Sequence, residues 1–259
     1  MAANGNAKAG SLIPVKSILV SQPKPTKSPY YELETKYGLQ IDWRPFIHVE
    51  EEEVKDYRRQ KIRPDEYSAI IFTSKNSVDH FFRICEELRV KMPQDTKYFC
   101  ISEAIANYLQ KFIIYRKRKV FVGKRKIEDL TAAFKKHKTE RFLLPCSNLG
   151  AKNVVHHLEE LELDWQDSIM YRTVASDLSD LSDVKYDILV FFSPLGIESL
   201  YENFPTFMQD ETRIAVFGNS TTKAVVDRGL RVDIKAPAPE APSMTMALEQ
   251  YLKISNNGH

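Results

Sequence analysis

The stretch Tyr67-Ser-Ala-Ile-Ile-Phe-Thr-Ser74 decides the fold because it recurs: 119 residues later the chain reads Tyr186-Asp-Ile-Leu-Val-Phe-Phe-Ser193. Each is a short apolar run without polar alternation, the pattern of a strand buried on both faces, and each opens into a longer segment of helical character. The likeness continues outward. Asp95-Thr96-Lys97 matches Glu211-Thr212-Arg213 at an offset of 116, and the strands around Leu19 and Leu144 both lead through a helix to Asp-Trp pairs, Asp42-Trp43 and Asp164-Trp165, 122 apart. Three matched pairs at nearly constant offset indicate an internal duplication of one α/β unit, chance likeness of two buried strands being the competing reading.

Other elements fall between these anchors. Further strands are expected at Ser17 to Val20, from Leu39 through Trp43, Phe46, Ile47 and Val49, and at Lys97 to Ile101, Val120 to Val122, Phe142 to Leu144, Ser168 to Val174, Arg213 to Phe217 and Val232 to Lys235. Helices are expected over Tyr30 to Tyr37, Asn76 to Leu88, Glu103 to Lys111, Lys152 to Leu161, Gly196 to Asn203, Thr221 to Asp227 and Ser243 to Leu252, with an acidic, solvated one over Glu50 to Arg59. A length of 259 residues suits two such units.

Composition excludes several function classes. The chain has nine glycines, none spaced as a dinucleotide fingerprint or a P-loop. Three scattered cysteines without a C-x-x-C, and six histidines without H-x-x-x-H, leave no metal-ligand pattern and favour a reducing compartment. The start of the chain lacks the cationic and apolar blocks of a signal peptide, and no apolar run approaches a membrane span, so a soluble cytoplasmic protein is expected. A net charge of +2 gives no global field for nucleic acid. The stretch Lys111 to Lys126, with eight cations and no acid, reads as a solvated strand-and-loop edge, or else as a feature that steers a polyanion or contacts a nucleic-acid backbone, the latter disfavoured by the few interleaved aromatics.

Chemistry in such folds sits beyond the carboxyl ends of the strands, where helix N-termini present free N–H groups. Here those places hold Thr73, Ser74, Asn76, Ser147, Asn148, Ser193, Ser220 and Thr221. Taken singly, each is most simply a helix cap; four clusters in corresponding places suggest two rims of donors for an anionic ligand. Tyr171, near the end of its strand, is either a half-buried packing residue or a neutral proton donor. No nucleophile–base pair stands out.

The segments Ile71 to Val78, Leu143 to Leu149, Met170 to Val174, Phe191 to Gly196 and Ala215 to Ala224, in this order, resemble uroporphyrinogen-III synthases over about residues 16–253. The resemblance implies two flavodoxin-like parallel-sheet domains joined by a two-stranded linker, one domain discontinuous: residues 12–44 with 176–255, and 45–175 between them, after a disordered tail 1–11. It implies a lyase that closes linear hydroxymethylbilane into uroporphyrinogen III with loss of water and inversion of the last pyrrole ring, without metal or organic cofactor. The polycarboxylate substrate is then expected in a cleft between the domains, on a chain that acts as a monomer. Thr73, Ser74, Asn76, Ser102, Ser147, Asn148, Ser193, Ser220 and Thr221 become substrate-binding candidates, and Tyr171 the group that assists departure of the hydroxyl. The chain departs from the family pattern at Cys100-Ile-Ser-Glu-Ala104, where a glycine and a threonine are usual. That departure motivates the alternative of an impaired relative that binds or senses an anionic, tetrapyrrole-like molecule.

Overall fold

The computed structural model describes residues 13–181 and 184–256; the tail 1–11 lies outside the described residues. In chain order the elements are β1 (Ser17–Val20), α1 (Tyr30–Tyr37), β2 (Gln40–Trp43), β3 (Ile47–Glu51), α2 (Val54–Tyr57), β4 (Ala69–Phe72), α3 (Lys75–Glu87), β5 (Lys97–Cys100), α4 (Glu103–Leu109), β6 (Val120–Val122), α5 (Thr131–Lys136), β7 (Arg141–Ser147), α6 (Lys152–Glu160), β8 (Asp164–Ala175), β9 (Ile188–Phe191), α7 (Pro194–Asn203), β10 (Arg213–Phe217), α8 (Asn219–Asp227), β11 (Ile234–Ala236) and α9 (Met244–Asn256).

The chain divides into two units. Unit one holds the described residues up to His48 together with those from Val174 onward, and unit two holds Val49–Thr173. Unit one has a five-stranded sheet in the order β11-β10-β9-β1-β2, parallel in the pairs β1–β2, β1–β9, β9–β10 and β10–β11. Numbered along the chain these strands run 2-1-3-4-5, the order of flavodoxin-like sheets. The second sheet runs β3-β8-β7-β4-β5-β6. By the duplication, β7, β8, β4, β5 and β6 are the counterparts of β1, β2, β9, β10 and β11, so their spatial order is the same. Each sheet therefore joins the first two strands of one copy to the last three of the other.

Burial explains why the two recurring stretches carried the signal. All four residues of β4 and all four of β9 are buried, because each lies inside its sheet with apolar clusters on both faces. Phe72, Phe81 and Tyr98 pack on one face of the second sheet, and Phe99, Phe134 and Phe142 on the other.

Three expectations are corrected. The single strand from Leu39 to Val49 is two strands in different sheets, β2 and β3, separated at Arg44-Pro45-Phe46. Pro45 lacks the N–H a central ladder requires. The acidic helix is only Val54–Tyr57 followed by a tight turn of 3₁₀ helix, with Glu50 and Glu51 in β3. Within Glu50 to Glu53, read as a solvated face, Glu52 is 5% exposed and bonded to Arg172 Nε at 2.7 Å. The helical stretch Ile127 to Lys136 carried no expectation; its buried Ile127, Leu130 and Phe134 cover one face of unit two.

Candidate functional site

The rim of unit two is built where β4 gives way to α3. Ser74 is the N-cap of α3: its Oγ accepts from Ser77 N–H at 3.0 Å, and Ser77 Oγ accepts from Ser74 N–H at 3.2 Å. This reciprocal cap fixes the entry angle of the helix and leaves Asn76 exposed in its first turn, with Thr73 half-buried before it. N–H groups at a helix start carry partial positive charge, so the turn is suited to an anion.

Tyr171 meets this turn from β8. The β7–β8 register shifts between Cys146 and Ser147, so that Cys146 pairs with Ile169 but Ser147 with Tyr171. The extra residue, Met170, is a bulge, and it breaks the two-residue alternation: Met170 and Tyr171 are both buried in one cluster. Tyr171 is 8% exposed, with its hydroxyl 3.4 Å from Ser74 Oγ. Burial raises its pKa above the ordinary phenol value, opposed in part by Ser74, so the group is a neutral donor across the neutral range.

Neighbours not anticipated from the sequence hold the bulge. Arg83 donates to Met170 O at 3.1 Å and to Glu52 O at 2.9 Å, while Gln60 bonds both the N–H and the carbonyl of Ile169. His80 stacks on Tyr171 with ring centroids 4.9 Å apart and planes 19° apart, and its Nδ1 is buried without a partner. Burial, then the Arg83 charge, hold its imidazole below the ordinary pKa, hence neutral at pH 7. Part of the signal was available: Ser77, His80 and Arg83 follow one another at three-residue spacing, so each adjoins the next on the surface of a helix that starts at the rim.

Ser147 is buried, its Oγ accepting from Leu149 N–H at 3.3 Å. Asn148 is exposed but committed to β8, its Oδ1 accepting from Thr173 N–H at 2.8 Å. Ser102 is the N-cap of the seven-residue α4 without a side-chain cap bond. The neighbouring Ile101 is half-buried, packing against the clusters on both faces of the sheet, and Glu103 and Ala104 are exposed. A Cβ on Gly123 would lie 3.0 Å from Ile101 O. That close approach gives a place to Gly123, which lies in the turn between β6 and the helical stretch that starts at Ile127.

In unit one, Ser193 caps α7, its Oγ accepting from Gly196 N–H at 3.3 Å. Gly218 precedes α8 at φ +88°, a conformation that favours glycine, and donates to Ala236 O at 2.7 Å. Ser220 is exposed in the first turn of α8, whereas Thr221 is 0% exposed and its Oγ1 has no partner. The structure thus gathers Thr73, Ser74, Asn76 and Tyr171 at one turn of unit two, and Ser220 and Thr221 at one turn of unit one. Ser147 and Asn148 are engaged in the backbone of β7–β8.

Burial pushes the thiols of Cys85 and Cys100 up to about 12 and that of Cys146 to about 11, which leaves none of them nucleophilic at neutral pH. Among the described residues, no group of three or more His, Cys, Asp and Glu side chains is placed to hold a metal ion, and no helix is long and apolar enough to cross a membrane. The basic stretch contains β6, the edge strand of its sheet, and the N–H groups of Lys124, Arg125 and Lys126 all donate to the Asp129 carboxylate.

Similarity to known proteins can be set beside this geometry. The family model described as uroporphyrinogen-III synthase HemD matches residues 29–246. A uroporphyrinogen-III synthase of Chlorobaculum parvum is 25% identical over 254 residues, spanning 92% of this chain and all of its own length. The fold is shared with the solved uroporphyrinogen-III synthetase of Helicobacter pylori 26695 (TM-score 0.59, 18% identity, 92% of this chain and 99% of that one). It is also shared with a mutant synthase of Thermus thermophilus (TM-score 0.53, 14% identity, 92% and 98%).

Proposed function

This chain belongs to the uroporphyrinogen-III synthase family, and from that premise we propose that it closes hydroxymethylbilane into uroporphyrinogen III, a hydro-lyase step of tetrapyrrole biosynthesis. The observation that carries the reading is the neutral phenol of Tyr171 set 3.4 Å from the Ser74 cap at an anion-suited helix start. Loss of water from the hydroxymethyl carbon requires a proton at the departing oxygen, and a phenol whose pKa is raised by burial still carries that proton at neutral pH. Exposed donors at the turns, Asn76 and Ser220 among them, are suited to the substrate carboxylates, and Ser74 orients the phenol. The reading carries with it a reaction without metal or organic cofactor, a single chain as the working form, and the cytoplasm as its compartment.

The test is product analysis. Purified protein supplied with freshly made hydroxymethylbilane should yield mainly the type III isomer after oxidation and chromatography, and type I alone, the spontaneous product, would refute the activity. The second reading, a binding or sensor protein of the same family, is favoured by Ile101 and Ala104 beside an α4 whose N-cap makes no side-chain bond. Saturable binding of a uroporphyrinogen without type III product would support it.

A further inference from the structure

We propose that unit two carries a second small-molecule site, at the end of its sheet opposite the Ser74 rim, and that it takes an amphipathic anion with a flat apolar body and one acidic head. A cavity of about 470 Å³ opens at the amino ends of β5 and β6, within the size range of small-molecule sites. Phe82 and Phe112 stack in its wall with centroids 4.7 Å apart and planes 6° apart, and Met92, Pro93 and Val120 extend the apolar lining. Phe112 remains exposed, and Ile114 beside it is 84% exposed, so large apolar side chains here lack the cover a packed interior would supply.

Two polar features give the ligand its acid. Thr96 is 2% exposed, lines the cavity, and its Oγ1 has no partner. A buried hydroxyl without a partner costs about 1–3 kcal/mol, which a ligand acceptor would relieve once rotation about the Thr96 Cα–Cβ bond brings the hydroxyl to the cavity wall. Lys91, Arg116 and Lys119 also line the cavity, against one carboxylate, Glu86. Lys119 Nζ donates to Gln94 O, while Lys91 and Arg116 form no ion pair among the described residues. Two of the eight cations of the basic stretch, Arg116 and Lys119, thereby acquire a ligand-directed role.

The duplication supplies an internal control. Thr212 is the counterpart of Thr96, and a cavity of about 670 Å³ lies beside it in unit one. There the hydroxyl donates to Tyr186 O at 3.0 Å, and the lining sets Asp187, Asp210 and Glu211 against Lys185 and Arg213. The same scaffold position thus has its hydroxyl satisfied by a carbonyl in one copy and without a partner in the other, and three cations against one carboxylate line only the second, so the free hydroxyl of Thr96 is not a consequence of the fold.

The probe for the test is 8-anilinonaphthalene-1-sulfonate, titrated into the full chain labelled at its methionine methyls. Met92 lines the proposed site, Met208 lines the unit-one cavity, and Met170 adjoins Tyr171, so three methyls separate three locations. Saturable fluorescence with a ring-current shift at Met92, assigned through Met92→Leu, is expected. The exposed double variant Lys91→Glu with Arg116→Glu should weaken binding by roughly tenfold or more, and Thr96→Val, nearly isosteric, by about threefold to tenfold. Shifts confined to Met170 or Met208, affinity unmoved by the variants while circular dichroism stays native, or no saturation would each overturn the proposal.

Discussion

Replacing Tyr171 by Phe separates a chemical role from a packing role, because the structure assigns the two very different magnitudes. Phenylalanine keeps the ring in its buried cluster and its stack on His80, 4.9 Å away. Only the hydroxyl is lost, with its single 3.4 Å contact to Ser74, whose Oγ keeps the shorter bond from Ser77 N–H at 3.0 Å. No buried group is orphaned, so the stability cost should stay below about 1 kcal/mol, a shift of no more than about 2–4 °C in Tm. Removal of a proton donor costs about 10²–10⁴-fold in rate, or roughly 3–5 kcal/mol of barrier. The assay is single-turnover formation of type III isomer from fresh hydroxymethylbilane, read beside a thermal melt of the same sample. A large loss of kcat with a near-native melt is expected. A rate within about threefold of the parent would refute the proton-donor argument, and a loss that merely tracks the melt would make Tyr171 a packing residue.

Thr221→Val should stabilise the protein by about 1 kcal/mol, since it replaces a fully buried hydroxyl without a partner by a methyl group; a lower Tm would mean that the hydroxyl has a partner. Alkaline stability follows from the buried tyrosines. Burial pushes Tyr57 up to about 12 and also raises Tyr30 and Tyr98. Their folded pKa values lie above the unfolded value near 10, so this contribution is complete below pH 10 and is lost as pH rises to about 12. For Tyr57 it amounts to about 2–3 kcal/mol, measurable as a falling urea midpoint alongside tyrosinate absorbance; a flat profile over that window would contradict it. The three thiols, all buried, should resist a disulfide reagent at pH 8 in the native protein and react fully in denaturant. Fast stoichiometric labelling of the native form would show that a thiol is open to solvent.

Strands buried on both faces are legible one at a time, because continuous apolar runs such as those of β4 and β9 have few other stable uses. The alternation of strands and helices, the parallel α/β class and the hydroxyl-bearing turns at Ser74 and Ser193 could all be read in this way. Segments whose environment is set by distant residues could not. Glu52 looks like part of a solvated acidic run until Arg172, 120 residues away, is placed beside it. Met170 and Tyr171 cannot both face inward under simple alternation, and only the bulge opposite Cys146 and Ser147 permits it. His80 looks like an ordinary helical residue until the ring of Tyr171 is laid against it.

The sequence by itself determined that this protein is a duplicated α/β chain, since the pattern of burial is written locally in runs of a few residues. The repeat by itself could not say which half of each copy shares a sheet with which; the family resemblance implied an exchange, and the tertiary structure displays it strand by strand. Backbone hydrogen bonds between strands carry no side-chain signature, and the two copies are too alike to label their partners. The tertiary structure alone decided that Thr212 finds an acceptor while Thr96 does not, because satisfaction of a hydroxyl depends on the few ångströms separating it from a carbonyl of a distant segment, here Tyr186 just before β9.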